Sequence, residues 1–325
     1  MRTSLASSSG FIRITEYCFI HNLAILRQAL PSEMALKVTS LFLAIAANFD
    51  RVAILCHKKN CNTMLGSWPS EFRDRVHIFD GARIDAMFQP QFGKRSKGGP
   101  GGRVKNDGHG FFVTMSHIHV ANTLFKSNET NSFLFLEEDY EVVQPVQPKN
   151  HLKLSISRSD SASNIARFVE RDISWQFLRL GYNPRWRAEA ITLRCKPACI
   201  CQTIYAGICA IMSRNFANES CWIGSTVGYA VHRRAWAALQ ELGYDALNSG
   251  SDKFKFSIDT WIPGSTDFYE HKLSGPVHYA IPGVLRQRGR KEHSQAMEAF
   301  SSKCVTSYNH SYIIEDPRLL GNYPL

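Results

Sequence analysis

No apolar stretch in this chain reaches the roughly 18–20 residues that a membrane-crossing helix needs, so the sequence predicts no transmembrane segment. The nearest approach is residues 37–47, where Lys37 precedes Val38–Ala47 and the run ends in small residues. That is the shape of a signal-peptide core, lying well inside the chain. It reads either as a signal, if translation starts at Met34, or as an N-terminal core helix. Phosphate-loop chemistry is also missing. The glycine-rich stretch Gly93–Arg103, continued by Asp107–Gly110, has no Gly-Lys-Ser/Thr opening a helix. It reads as a loop, either a lid over a phosphate ligand or plain surface. No nucleic-acid-binding module is visible and the basic residues are scattered, which argues against a nucleic-acid partner. No internal repeat and no firm domain boundary appear.

Zinc-finger spacing is absent despite nine cysteines. Five crowd into one segment (Cys195, Cys199, Cys201, Cys209 and Cys221), without two close pairs at regular spacing. Disulfides of a secretory enzyme and buried thiols of a cytoplasmic one both fit. Three N-glycosylation sequons, at Asn128, Asn218 and Asn309, lean toward the lumen of the endoplasmic reticulum or Golgi.

What is present is an ordinary globular composition, 44% hydrophobic over 325 residues, with a net charge of +10. That charge suits a polyanionic partner such as a nucleotide diphosphate. Residues 1–48 are peripheral on this reading, and 49–325 form a single domain. Strands are expected at Arg51–Cys56 and Val76–Phe79, with a short helix near Met64–Phe72. A helix over Phe112–Lys126 follows from the spacing of Met115, Ile118, Ala121 and Phe125. Strand, helix and strand in this order predict an α/β fold with parallel pairing. Residues 141–165 read as a loop, Ile173–Leu180 and Thr226–Val231 as strands, and His232–Leu242 as a helix stopped by Gly243. Ser257–Ile262 and His278–Leu285 are later apolar segments.

The most informative run is Phe133-Leu-Phe-Leu-Glu-Glu-Asp139. Four large apolar residues read as a strand buried on both faces, and α/β domains place ligands beyond the carboxyl ends of such strands. Three adjacent carboxylates repel one another; a divalent cation and a phosphate-bearing ligand make sense of them. Alternation along a strand points Glu137 and Asp139 to one side and Glu138 to the other. Oxygen ligands of this kind suit Mn²⁺ or Mg²⁺. A solvated strand end followed by a turn is the alternative.

The order of several segments resembles glycosyltransferase family 25, the class of lipopolysaccharide glycosyltransferases and collagen galactosyltransferases. The segments are Ser116-His117, Leu136–Asp139, Asp172–Gly181, Tyr229–Trp236, Ile258–Trp261 and Pro282–Gln287, together spanning roughly residues 51–294. Glu138 stands where that family usually has Asp, and Leu55–Lys59 lacks its usual opening motif. The resemblance implies a GT-A-like nucleotide-sugar-binding fold with a central, mostly parallel sheet flanked by helices. It implies transfer of a sugar, usually with inversion, from a nucleotide-sugar donor such as a UDP-sugar to a hydroxyl of a glycan or protein. Mn²⁺ or Mg²⁺ would be held by Asp139 and Glu137, with Glu137, Glu138, Asp139, Ser116 and His117 around the donor. Asp259 is the candidate general base, and His278 a candidate third metal ligand. Trp175 and Tyr229 read as core. The alternatives are a catalytically degenerate sugar- or protein-binding relative and a metal-dependent phosphoryl-transfer enzyme.

Overall fold

Among the described residues, continuous apolar runs become the inner strands of one ten-stranded sheet. The computed structural model describes residues 40–58, 61–92, 109–143, 158–171, 175–184, 202–205, 208–211, 223–249, 258–262, 277–280 and 283–288. The chain opens with helix α1 (Ser40–Ala46), strand β1 (Arg51–Cys56), and two short helices, α2 (Asn62–Gly66) and α3 (Ser70–Arg73). Pro69 separates that pair, because its ring cannot continue α2, so the single helix expected near Met64–Phe72 is two. Strand β2 (Val76–Asp80), helices α4 (Gly81–Phe92) and α5 (His109–Phe125), and strands β3 (Ser132–Glu137) and β4 (Tyr140–Val142) follow. Then come helix α6 (Arg158–Arg171) and strands β5 (Phe177–Pro184), β6 (Gln202–Tyr205), β7 (Ile208–Ile211) and β8 (Ile223–His232). A 3₁₀ turn (Arg233–Ala235), helices α7 (Trp236–Ser249) and α8 (Ile258–Trp261), and strands β9 (Val277–Ala280) and β10 (Leu285–Gln287) complete the order.

The strands lie in the order β2-β1-β3-β8-β5-β9-β7-β6, with β10 joined to β5 and to β4. The sheet is mixed, which corrects the expectation of a mostly parallel one. β1 is parallel to β2 and β3, and β5 to β9 and β10. β8 runs against both neighbours, β3 and β5, and β7 runs against β6 and β9. The reason lies in the connections. β6 and β7 form an antiparallel hairpin, and no helix is described between β5 and β8, whereas parallel pairing of successive strands needs a crossover.

Two cores cover the two faces. On one, Phe133, Phe135, Phe177, Tyr229 and Tyr279 meet residues of α5 and α7. On the other, Val52, Ile54, Leu134, Leu136, Leu178 and Leu180 meet α1 and α6. The signal-like stretch supplies α1. Phe42 packs 5.8 Å from the Trp68 ring and 5.7 Å from Tyr140, and Leu43 and Ile45 are buried with it. Each such side chain contributes roughly 1.5–3 kcal/mol by burial. Residues 40–46 of this stretch form a packed helix, so buried apolar side chains begin before residue 49.

Two further expectations need correction. Helix α6 falls partly within the expected loop 141–165; its serine-rich start obscures the buried stripe Ala162, Ile165 and Phe168. Gly243 does not stop α7, which continues to Ser249. A Cβ there would lie 3.2 Å from Ile118 Cγ2, so this glycine lets α7 approach α5 closely.

Candidate functional site at the carboxyl end of the parallel strands

β1 lies between β2 and β3, so the chain leaves β1 to one side for β2 and returns on the other for β3. The gap between β1 and β3 is thus a topological switch point, the place where α/β sheets open a crevice beyond their carboxyl ends. His57 and Lys58 follow β1 there; Glu137 ends β3, and Glu138 and Asp139 follow it in a turn. The two ends are tied together. Glu138 N–H donates to Leu55 O at 3.0 Å, and His57 N–H donates back to Glu138 Oε2. Lys58 Nζ lies 3.5 Å from Glu138 Oε1. A disulfide joins Cys56 to Cys61 and closes this loop.

The three carboxylates have separate surroundings. Glu137 lies on the face of Phe133 and Phe135, where it accepts from the Thr226 hydroxyl and sits 3.8 Å from His117 Nε2. Glu138 faces the β1 loop. Asp139 is outside the strand, which ends at Glu137, so alternation does not govern it. Gln287 Nε2 on β10 donates to its Oδ2 at 2.7 Å, and its backbone carbonyl accepts from Arg288 N–H at 2.6 Å. Asp139 Oδ1 is buried with no hydrogen-bond partner. An orphaned carboxylate oxygen at this position fits a hard cation, which demands oxygen donors. Glu137 and Asp139, expected to share one cation, have different partners: Thr226 and His117 for Glu137, Gln287 for Asp139.

Beneath the carboxylates, α5 supplies Ser116 and His117, both buried. Ser116 Oγ donates to Asp85 Oδ1 at 3.2 Å, and Asp85 Oδ2 lies 3.6 Å from His57 Nε2. Gly81 makes room for that imidazole, since a Cβ would fall 2.5 Å from the ring. His117 stacks on Phe135 at 4.0 Å between centroids, and its Nδ1 is 2.6 Å from the Tyr229 hydroxyl. Burial, with His57 nearby, pushes the His117 pKa down to about 3, so the ring is neutral. Burial, then Glu137, raises Tyr229 well above the ordinary tyrosine range, partly offset by Arg179, so it keeps its proton. Tyr229 therefore donates to Nδ1, and the remaining ring proton sits on Nε2, facing Glu137. Ser116 and His117 thus support His57 and Glu137 from below.

Trp175 and Tyr229 are core residues, as expected. His278 pairs in register with Leu178, on the face opposite Glu137, and its ring lies 4.7 Å from Phe168. That register separates it from Glu137 and removes it as a third ligand. Asp259 lies in α8, a four-residue helix within the apolar segment Ser257–Ile262; its side chain is outside the described residues. So are the side chains of the five-cysteine segment, the loop at 93–108 and the sequons at Asn218 and Asn309. Asn128 is exposed on the turn between α5 and β3. The sequence reading passed over Thr226, Gln287, His57, Lys58 and Asp85 as site residues. Only Gln287 carried a signal, as the end of the last family-like segment. Comparison with protein-family models finds no match to this chain, and comparison with curated proteins finds none either.

Proposed function

We propose that this protein is a metal-dependent glycosyltransferase that uses a nucleotide-sugar donor, with a GT-A-like arrangement of its parallel half. The observation that carries the reading is the seating of Glu137, Glu138 and Asp139 at the β1/β3 switch point, with one Asp139 oxygen buried and unclaimed. A nucleotide-diphosphate leaving group gathers negative charge as the glycosidic bond breaks, and that charge needs neutralising. When held by Asp139 and Glu137, Mn²⁺ or Mg²⁺ would supply Lewis-acid stabilisation of that charge. The chain's own residues do the positioning. Gln287 fixes one oxygen of Asp139, Thr226 fixes Glu137 with the neutral His117 ring beside it, and Lys58 adds a cation at the crevice mouth. Asp259 is the proposed base for the acceptor hydroxyl of a glycan or protein. The Cys56–Cys61 disulfide and exposed Asn128 support a lumenal enzyme of the endoplasmic reticulum or Golgi.

A second reading, a catalytically degenerate sugar- or protein-binding relative, is favoured by the internal partners of the acids: Glu138 is matched by Lys58 and the His57 N–H. A thermal-shift series of UDP-sugars with and without Mn²⁺ separates the two. Donor at a hundredfold excess over Kd stabilises by about 2.7 kcal/mol. On the enzyme reading this requires Mn²⁺ and disappears in Asp139→Asn, while the variant stays folded. No Mn²⁺-dependent shift with any nucleotide sugar overturns it.

A further inference from the structure

Among the described residues, Arg179 is a buried cation with no hydrogen-bonded anion. It lies on the inner strand β5 with 0% of its surface exposed. The Tyr279 hydroxyl is close enough to interact with the guanidinium, but none of the three nitrogens makes a well-formed hydrogen bond among the described residues. Its carbon Cζ lies 5.7 Å from the centre of the Tyr279 ring, a cation–π contact. That contact is weaker than the cost of taking an unpaired charge out of water. The register places Arg179 between Tyr229 on β8 and Tyr279 on β9, one row across the sheet with Phe135 beyond. Both phenols keep their protons, because burial raises each. Neither is therefore the counter-ion. Glu137 shares this face but stands on β3, two strand spacings away, about 10 Å at the usual separation, and it already meets Thr226 and His117.

We propose that Arg179 is the recognition residue of an oxyanion site on this face of the sheet, taking a phosphate or carboxylate group of a ligand. The planar guanidinium fork binds either group with two parallel hydrogen bonds. The flanking phenols are neutral and do not compete with an anion. The site stands apart from the crevice between β1 and β3 and needs no metal. Because the guanidinium is fully covered, entry requires movement of the layer on this face, where Trp261 of α8 packs 6.2 Å from Phe177, two residues along β5.

The test uses the full-length protein in EDTA, which separates it from the metal-dependent reading. Melting temperature is measured against phosphate, pyrophosphate and malonate, with chloride at matched ionic strength as control. Wild type is expected to rise saturably with at least one oxyanion; a response to phosphate or pyrophosphate assigns a phosphate group, and one to malonate a carboxylate. Arg179→Met, of similar shape but neutral, is expected to melt at or above the unliganded wild type and to ignore all three. Arg179→Lys, which keeps the charge without the fork, should need at least tenfold more anion. Three results overturn the proposal: a wild type that responds only as it does to chloride, an Arg179→Met that responds like wild type, or an Arg179→Met that melts well below it. If Arg179→Met does not fold, Arg179→Lys decides, and equal midpoints for it and wild type reject the site.

Discussion

His117 ties the stability of this fold to pH in a way one substitution exposes. Its imidazole is buried, stacked on Phe135 and hydrogen-bonded to Tyr229, and burial lowers its pKa from 6.5 to about 3. The unfolded chain binds a proton near pH 6.5 and the native one only near 3, so stability rises with pH across that window and is lost on acidification. At pH 7 the linked loss is only about 0.2 kcal/mol; at pH 5 it reaches about 2 kcal/mol, from RT ln(1 + 10^(6.5 − pH)). His117→Gln removes the titration and keeps a polar group near the Tyr229 hydroxyl. The variant should be less stable than wild type at pH 7, by about 1–3 kcal/mol for a disrupted buried polar contact. That gap should shrink by about 2 kcal/mol at pH 5. Urea unfolding at both pH values, in EDTA to keep Glu137 free of metal, measures the two gaps. Other titrating groups cancel between the proteins. A gap that stays constant between pH 7 and pH 5 refutes the reasoning, since it means His117 is protonated in the folded protein or exposed in it.

Three further outcomes are expected. Asp259→Asn should leave Mn²⁺-dependent donor binding intact and lower the rate of transfer, by about 10²–10⁴-fold for a lost general base; unchanged turnover in a coupled nucleotide-release assay removes Asp259 from the mechanism. Glu138→Gln should leave donor binding unchanged and cost less than about 1 kcal/mol, because Lys58 is exposed and such pairs contribute little; loss of Mn²⁺-dependent binding on calorimetry would instead put Glu138 among the metal ligands. Gly228→Ala should destabilise by about 1–3 kcal/mol through overpacking, since its Cβ would fall 2.2 Å from Leu285 Cδ1. Unchanged denaturant midpoints would mean that Leu285 turns aside freely.

The parallel half of the fold was legible because it follows simple periodicities. Arg51–Cys56 and Phe133–Leu136 are unbroken apolar runs, and Met115, Ile118 and Ala121 mark the buried stripe of α5. The antiparallel half was less so. Nothing local to Thr226–Val231 says which way β8 runs, since strand direction is set by connections and neighbours. The acids at the end of β3 were found, but their geometry was read as if the strand continued through Asp139. Strand pairing ends at Glu137, and partners from distant segments then decide where each carboxylate faces. Gln287, Thr226 and Arg179 lie far from the acidic run in sequence, and pattern reading has no means of joining them. Arg179 sits within a run, Phe177–Leu180, whose apolar neighbours gave a strand four residues too early, at Ile173–Leu180 rather than Phe177–Pro184, and concealed the charge at its centre.

The bond from Gln287 to Asp139 spans 148 residues of sequence. During synthesis, β1, β2 and β3 emerge long before β10, and at about 5–20 residues per second the gap lasts many seconds. In that interval Asp139 has neither its Gln287 partner nor the Arg288 amide, and Leu285 has not yet reached Gly181 and Gly228. The nascent chain therefore carries a parallel half-sheet with its acidic end unfinished. On the metal-dependent reading proposed above, a ribosome-stalled chain ending before Leu285 should bind Mn²⁺ more weakly than the released protein.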